Sequence, residues 1–181
     1  QCPAGTGTDC VSSSTTDDLV PLDRAIELKT GAARKRCDDG VWSLTWSPDS
    51  SRLASASDGV YVHDASDWTL AQTLGGGVVD SVAWSPDGSR LAFGDIGGDV
   101  FVHDTGDWGQ ETVLDDAGAI ARSLAWAPDS ATLAVGSGDS TVYVYDRAGW
   151  SLAESLGAAS ADVQSVAWSA DGSQLVAGSD D

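Results

Sequence analysis

Val79-Asp-Ser-Val-Ala-Trp-Ser-Pro-Asp-Gly88 is the stretch from which the fold is read, because the chain writes it four times. The other copies are Val41-Trp-Ser-Leu-Thr-Trp-Ser-Pro-Asp-Ser50, Ala121-Arg-Ser-Leu-Ala-Trp-Ala-Pro-Asp-Ser130 and Val163-Gln-Ser-Val-Ala-Trp-Ser-Ala-Asp-Gly172. Their tryptophans, Trp46, Trp84, Trp126 and Trp168, stand 38, 42 and 42 residues apart. Two further landmarks keep the same spacing: Val-His-Asp64, Val-His-Asp104 and Val-Tyr-Asp146, then Trp68, Trp108 and Trp150. A fixed period of this length marks a repeat architecture.

Within a unit the periodicity is that of strands. Val79, Ser81 and Ala83 alternate with Asp80, Val82 and Trp84, and a Pro-Asp-Gly turn follows. Next come a small-residue strand (Arg90-Leu-Ala-Phe-Gly94 in the second unit) and a β-branched, aromatic strand (Thr141-Val-Tyr-Val-Tyr145 in the third). The last piece resembles Trp150-Ser-Leu-Ala-Glu-Ser-Leu156. Short strands punctuated by turns, with no sustained helical period, predict a four-stranded antiparallel sheet per repeat. One such sheet cannot bury both faces, but copies stacked around an axis can. The expectation is an all-β β-propeller of about four blades, the last incomplete: 41–78, 79–120, 121–162 and 163–181. The tryptophans and the Val/Tyr runs then fill the spaces between blades rather than stack on a ligand.

These motifs resemble the WD-repeat β-propeller family, over residues 41–181. Trp-Ser-Pro-Asp at 46–49 and 84–87, Trp-Ala-Pro-Asp at 126–129, and the strand-ending Asp64, Asp104 and Asp146 carry the resemblance. The repeats are degenerate. The Trp-Asp pair that names the family reads His63-Asp64, His103-Asp104 and Tyr145-Asp146, and the Gly-His pair before the first strand is replaced. The family's buried Asp–His–Ser–Trp network is therefore not carried over intact, while Asp58, Asp99 and Asp139 are placed to brace their own hairpins. The resemblance also implies ring closure by an N-terminal strand, for which Leu19-Val-Pro-Leu-Asp23 and Ala25-Ile-Glu-Leu-Lys29 have the alternation. Three completions fit: a chain continuing past Asp181, exchange between chains, and a four-bladed ring.

The chain has 181 residues, 28 acids against 9 bases, and a formal charge of −19. Such a field repels nucleic acid and anionic membranes, and no apolar run is long enough for a membrane span. Of the acids 25 are Asp, many at turn positions, which makes turn chemistry the first explanation of the charge and a saline or extracellular setting an addition to it. With no methionine, the sequence reads as a processed protein or a piece of a longer one.

Residues 1–18 are rich in Ser, Thr, Gly and Asp and read as a flexible tail; 19–40 read as a strand segment and basic linker that completes a blade. Cys2 and Cys10 are a candidate disulfide of a secreted protein, with reduced thiols as the alternative. Five of the nine bases fall between Arg24 and Arg36. Ala25, Ile26, Glu27, Leu28 and Lys29, with Arg34, Lys35 and Arg36, are the candidate assembly contacts, a basic arm suited to an acidic rim.

Nothing signals catalysis, a metal or a cofactor. His63 and His103 occupy equivalent repeat positions, which favours packing over chemistry, and Asp115-Asp116 reads as a solvated pair rather than a cation site. No calcium loop or phosphate loop appears. The expected function is a non-enzymatic protein-interaction or self-assembly module, polymerising through strand completion between copies. The alternatives are an extracellular filament or surface structural protein, and a fragment of a larger propeller whose ligand or enzymatic site lies elsewhere. The expected partner is a protein, including other copies of the chain. The expected setting is extracellular or cell-surface, the alternative being cytoplasmic.

Overall fold

The computed structural model describes residues 40–75, 77–157 and 160–180, and their regular structure is entirely β. Strands β1 (Ser43–Trp46), β2 (Arg52–Ala56), β3 (Val60–Asp64) and β4 (Leu70–Leu74) form the first antiparallel sheet, in that order. The second holds β5 (Val79–Trp84), β6 (Arg90–Asp95), β7 (Val100–Asp104) and β8 (Gln110–Leu114). The third holds β9 (Ala121–Trp126), β10 (Thr132–Ser137), β11 (Val142–Asp146) and β12 (Ser151–Leu156). A two-stranded sheet of β13 (Val163–Trp168) and β14 (Leu175–Ser179) follows. Register repeats with the sequence: Leu53 lies between Trp46 and His63, Leu91 between Trp84 and His103, and Leu133 between Trp126 and Tyr145.

The aspartates explain the tight turns. In the Ser47–Ser51 turn the Asp49 carboxylate accepts the Ser47 hydroxyl at 2.6 Å and the Ser51 amide at 3.0 Å, while Ser47 Oγ accepts the Arg52 amide at 2.9 Å. Ser85–Arg90 and Ser169–Gln174 repeat that arrangement bond for bond. The fourth turn position is left-handed each time: Ser50 at φ 58°, Gly88 at 72°, Ser130 at 61° and Gly172 at 71°. Among the described residues eleven aspartates accept the amide two residues on, so much of the negative charge is a by-product of hairpin closure.

These bonds favour the ionised carboxylate. The Ser47 hydroxyl, then the Ser51 amide and hydroxyl, lower Asp49 to about 2, and Ser169 and Ser173 do the same for Asp171, also to about 2. Because the folded value lies below the unfolded one, this contribution to stability is complete above the ordinary carboxylate pKa of 3.8 and is lost as pH falls towards 2. A carboxyl carbon titration by NMR is expected to place both midpoints there. Ser47→Ala is expected to move the Asp49 midpoint upward and leave Asp171 alone.

The turn between the third and fourth strands of a sheet holds a tryptophan in the left-handed region: Trp68 and Trp108 at φ 61°, Trp150 at φ 50°. Trp150 therefore belongs to the turn, and β12 starts one residue later than the sequence pattern suggested. A bulky residue rarely adopts this backbone. Here each ring packs edge-to-face on the anchoring tryptophan of its own sheet, Trp46–Trp68 and Trp84–Trp108 at 6.0 Å and Trp126–Trp150 at 5.9 Å.

Sheets pack face on face, and the core lies in the joints between them. At the first joint Ala54, Ala56, Val60, Val62 and Leu74 of the first sheet meet Val82, Trp84, Leu91 and Phe93 of the second. At the next, Ala92, Val100, Val102 and Leu114 meet Trp126, Leu133, Val135 and Tyr145. At the last, Ala134, Val142 and Val144 meet Val163, Val166, Trp168 and Leu175. Each sheet thus has a small-residue leading face and a large-residue trailing face, and every joint sets one against the other. Trp84, Trp108, Trp126, Trp150 and Trp168 lie in or against these joints, whereas Trp42 and Trp46 are exposed.

Polar bonds lock the joints. The Trp126 and Trp168 indole N–H groups donate to the Ala83 and Ala125 carbonyls at 3.3 and 3.1 Å. Ser43 and Ser123 accept the Val82 and Val166 amides at 3.3 and 3.1 Å, and the Ser81 hydroxyl donates to the Ala121 carbonyl at 2.6 Å.

Candidate functional site

The two outer faces of the described stack differ from the joints. On the trailing face of the first sheet Leu44 is 55% and Trp46 49% exposed, whereas Val82 and Trp84 at the same register are 6% and 7%. Trp42, at 60%, lies beside them. On the leading face of the last sheet Val176 is 63% exposed, where Ala54, Ala92 and Ala134 are fully buried. Among the described residues Leu70, Val78, Ile96, Leu152 and Leu156 are also exposed, away from these two faces.

The strand ends carry the charge. Residues 40–180 hold twenty carboxylate side chains and four arginines, and each arginine is engaged. Arg90 bonds Asp104 at 2.6 Å and also Glu111. Arg122 bonds Asp162 at 2.8 Å across the last joint. Arg147 reaches from the third sheet to Asp87 at 2.8 Å and Ser89 at 2.9 Å, beside the Asp87 amide donating to Ser130 Oγ at 3.0 Å. Arg52 stacks on the Trp108 ring at 5.3 Å. Among the described residues the rim is thus anionic, with three arginines in ion pairs and Arg52 held on a ring.

The hairpin aspartates differ from expectation at one place. Asp58 accepts the Tyr61 hydroxyl at 2.7 Å, and Asp139 accepts Tyr143 at 2.8 Å, Gly118 at 2.8 Å and Thr141 at 3.0 Å. In the second sheet the bracing carboxylate is Asp95, which accepts the Gly97 and Asp99 amides at 2.9 and 3.0 Å, so Asp99 is braced rather than bracing. The strand-ending Asp95 reaches its own turn first.

His63 and His103 are 4% and 8% exposed. His103 Nδ1 lies 3.1 Å from the Trp108 carbonyl, so Nδ1 carries the proton and donates. His63 Nδ1 has no partner among the described residues, and burial lowers the pKa of that ring. Tyr145, in the third equivalent place, is 1% exposed; burial, then the adjacent Asp116 carboxylate, raises its pKa. Among the described residues no three His, Cys, Asp or Glu side chains converge as a metal site, and no helix is long and apolar enough to cross a membrane. Cys2, Cys10, residues 25–29 and Arg34–Arg36 lie outside the described residues, as do the proposed tail and linker.

The WD domain, G-beta repeat pattern matches the chain four times, at residues 32–60, 68–104, 111–146 and 150–181. The chain belongs to the WD40-repeat family. WD40 propellers generally act as protein-interaction scaffolds and are typically non-enzymatic. A chain in a crystal structure of a mitotic checkpoint complex is similar at 28% identity and a TM-score of 0.70, over 77% of this chain and 46% of that one. The WD40 repeats of RRP9 are similar in fold, with 20% identity, a TM-score of 0.69, and 74% and 43% covered. The WD40 repeats here thus span less than half the length of each solved chain. No curated protein matches the sequence.

Proposed function

We propose that the chain is a protein-binding WD40 module that associates with copies of itself, head to tail. The exposed Leu44 and Trp46, at a register that is buried or half-buried in every joint, are the observation that carries this reading. In it the trailing face of one copy receives the leading face of the next, and the basic residues Arg34, Lys35 and Arg36 are drawn to the neighbour's anionic rim. The strand-like segment 19–29 completes the two-stranded sheet of the neighbour. Open-ended repetition gives a filament and a closed rotation gives a ring. An extracellular or surface setting belongs to the same proposal, with Cys2 and Cys10 as its disulfide.

Solution mass by light scattering tests this. The full chain is expected to exceed monomer mass with rising concentration, and to return to monomer in a variant lacking residues 1–40 and in R34E/K35E/R36E. A monomer at every concentration, indifferent to both changes, overturns it. The match to less than half of the neighbouring propellers favours a second reading, that these repeats act within a larger ring whose ligand or enzymatic site lies outside them. In that case the exposed faces are joints with further repeats.

A further inference from the structure

The last joint is sealed at β13 and open beyond β14. In the second and third sheets the third strand sets rings against the sheet before it. Phe101 packs on the core cluster of the first joint, with His103 two residues on, and Tyr143 and Tyr145 lie against or within that of the second. The outermost strand of the preceding sheet is covered there, leaving Leu74 and Leu114 only 5% and 3% exposed. Leu156 holds the same register, opposite Val142 as Leu74 is opposite Val60 and Leu114 opposite Val100, yet it is 39% exposed. The facing wall is open as well. Ala177 is exposed, whereas Phe93 and Val135 at its register are buried. Both openings have one cause. Among the described residues β14 pairs with β13 alone, so no third strand stands in this joint.

We infer that the β14 edge receives an extended segment of a partner protein that carries aromatic side chains at two alternate positions. A strand added to a free edge gains main-chain hydrogen bonds, and its alternate side chains point to one face. Rings on that face cover Leu156 on one wall and Ala177 on the other, continuing an interface that β9, β10 and β13 already form. The third strands within the chain show the pattern, Val100-Phe-Val-His103 in the second sheet and Val142-Tyr-Val-Tyr145 in the third. Segment 19–29 holds no ring, so its place in that sheet is the outermost, fourth strand. This chemistry rests on the protein-binding reading and does not need self-association.

The probe is a peptide copying Thr141-Val-Tyr-Val-Tyr-Asp146, titrated into the isotope-labelled full chain. It is expected to shift the Leu156 and Ala177 methyl resonances and the amides of Leu175–Gly178. The same peptide with serine in place of both tyrosines is expected to bind about tenfold more weakly. Leu156→Glu is expected to weaken the tyrosine peptide to a similar degree. Leu70→Glu, on the comparably exposed outer strand of the first sheet, is expected to leave its binding unchanged. Unmoved resonances, equal binding of the two peptides, or indifference to Leu156→Glu would each overturn the aromatic strand. So would a peptide of residues 19–29 that displaces the tyrosine peptide from these same residues. A chain that self-associates yet ignores the tyrosine peptide removes this inference alone, and a monomer that binds it removes only the self-association.

Discussion

Replacing Trp126 with alanine is expected to cost about 3–5 kcal/mol of stability, the range for a buried aromatic truncated in a core. Trp126 is 7% exposed, packs edge-to-face on Trp150, donates its indole N–H to Ala83, and fills the joint lined by Ala92, Val100 and Val102. Its loss leaves a void and removes the indole hydrogen bond to Ala83 at once. Trp46→Ala removes the same residue at the same register, yet Trp46 is 49% exposed, so the expected loss is about 1 kcal/mol. Urea unfolding midpoints of both variants give the comparison. Equal losses would mean that the trailing face of the first sheet is covered in solution as fully as a joint.

Gly94→Val is expected to be nearly as damaging, by about 3 kcal/mol, through overpacking. A Cβ at Gly94 would stand 2.5 Å from the Ala121 Cβ and 2.9 Å from its carbonyl oxygen, both on the innermost strand of the next sheet. Neither can swing aside, because the Ala121 carbonyl is also held by the Ser81 hydroxyl at 2.6 Å. Gly178 holds the equivalent place in the last sheet, where a Cβ meets nothing within 4 Å. Gly178→Ala is therefore expected to be neutral or to add about 0.5 kcal/mol by restricting the unfolded chain. Thermal melts should show the midpoint falling for Gly94→Val and holding or rising for Gly178→Ala. A shared loss would show that the glycine serves the strand itself rather than the approach of a neighbour.

The fold was legible because its determinants are local. Strand alternation, Ser-Pro-Asp turns and a repeated tryptophan are written along a single copy, and four copies in register leave little room for another reading. Even the serine three residues before each anchoring tryptophan was visible as a repeat, although its bond to the next sheet was not. Bonds between copies depend on the rotation from one sheet to the next, which no single copy encodes. Arg147 holding Asp87 across sixty residues is such a case. So is the exchange of roles between Asp95 and Asp99, decided by which carboxylate the strand end brings closest. The candidate assembly residues before Gly40 were read from composition and alternation alone, and the described residues do not reach them.

The opposition of bulky and slight residues on the two sides of every sheet carries a rule about symmetry. A dimer that joins one of these faces to its own copy must press like against like. Tryptophan ridges would then collide with tryptophan ridges, or shallow alanine and valine floors would face each other across a gap. Neither arrangement reproduces the fit inside the chain, so contact through these surfaces is directional, as in a stack of cups. Pairing of a face with its own copy is closed to it, and a repeat gained or lost as a whole unit leaves every remaining seam matched.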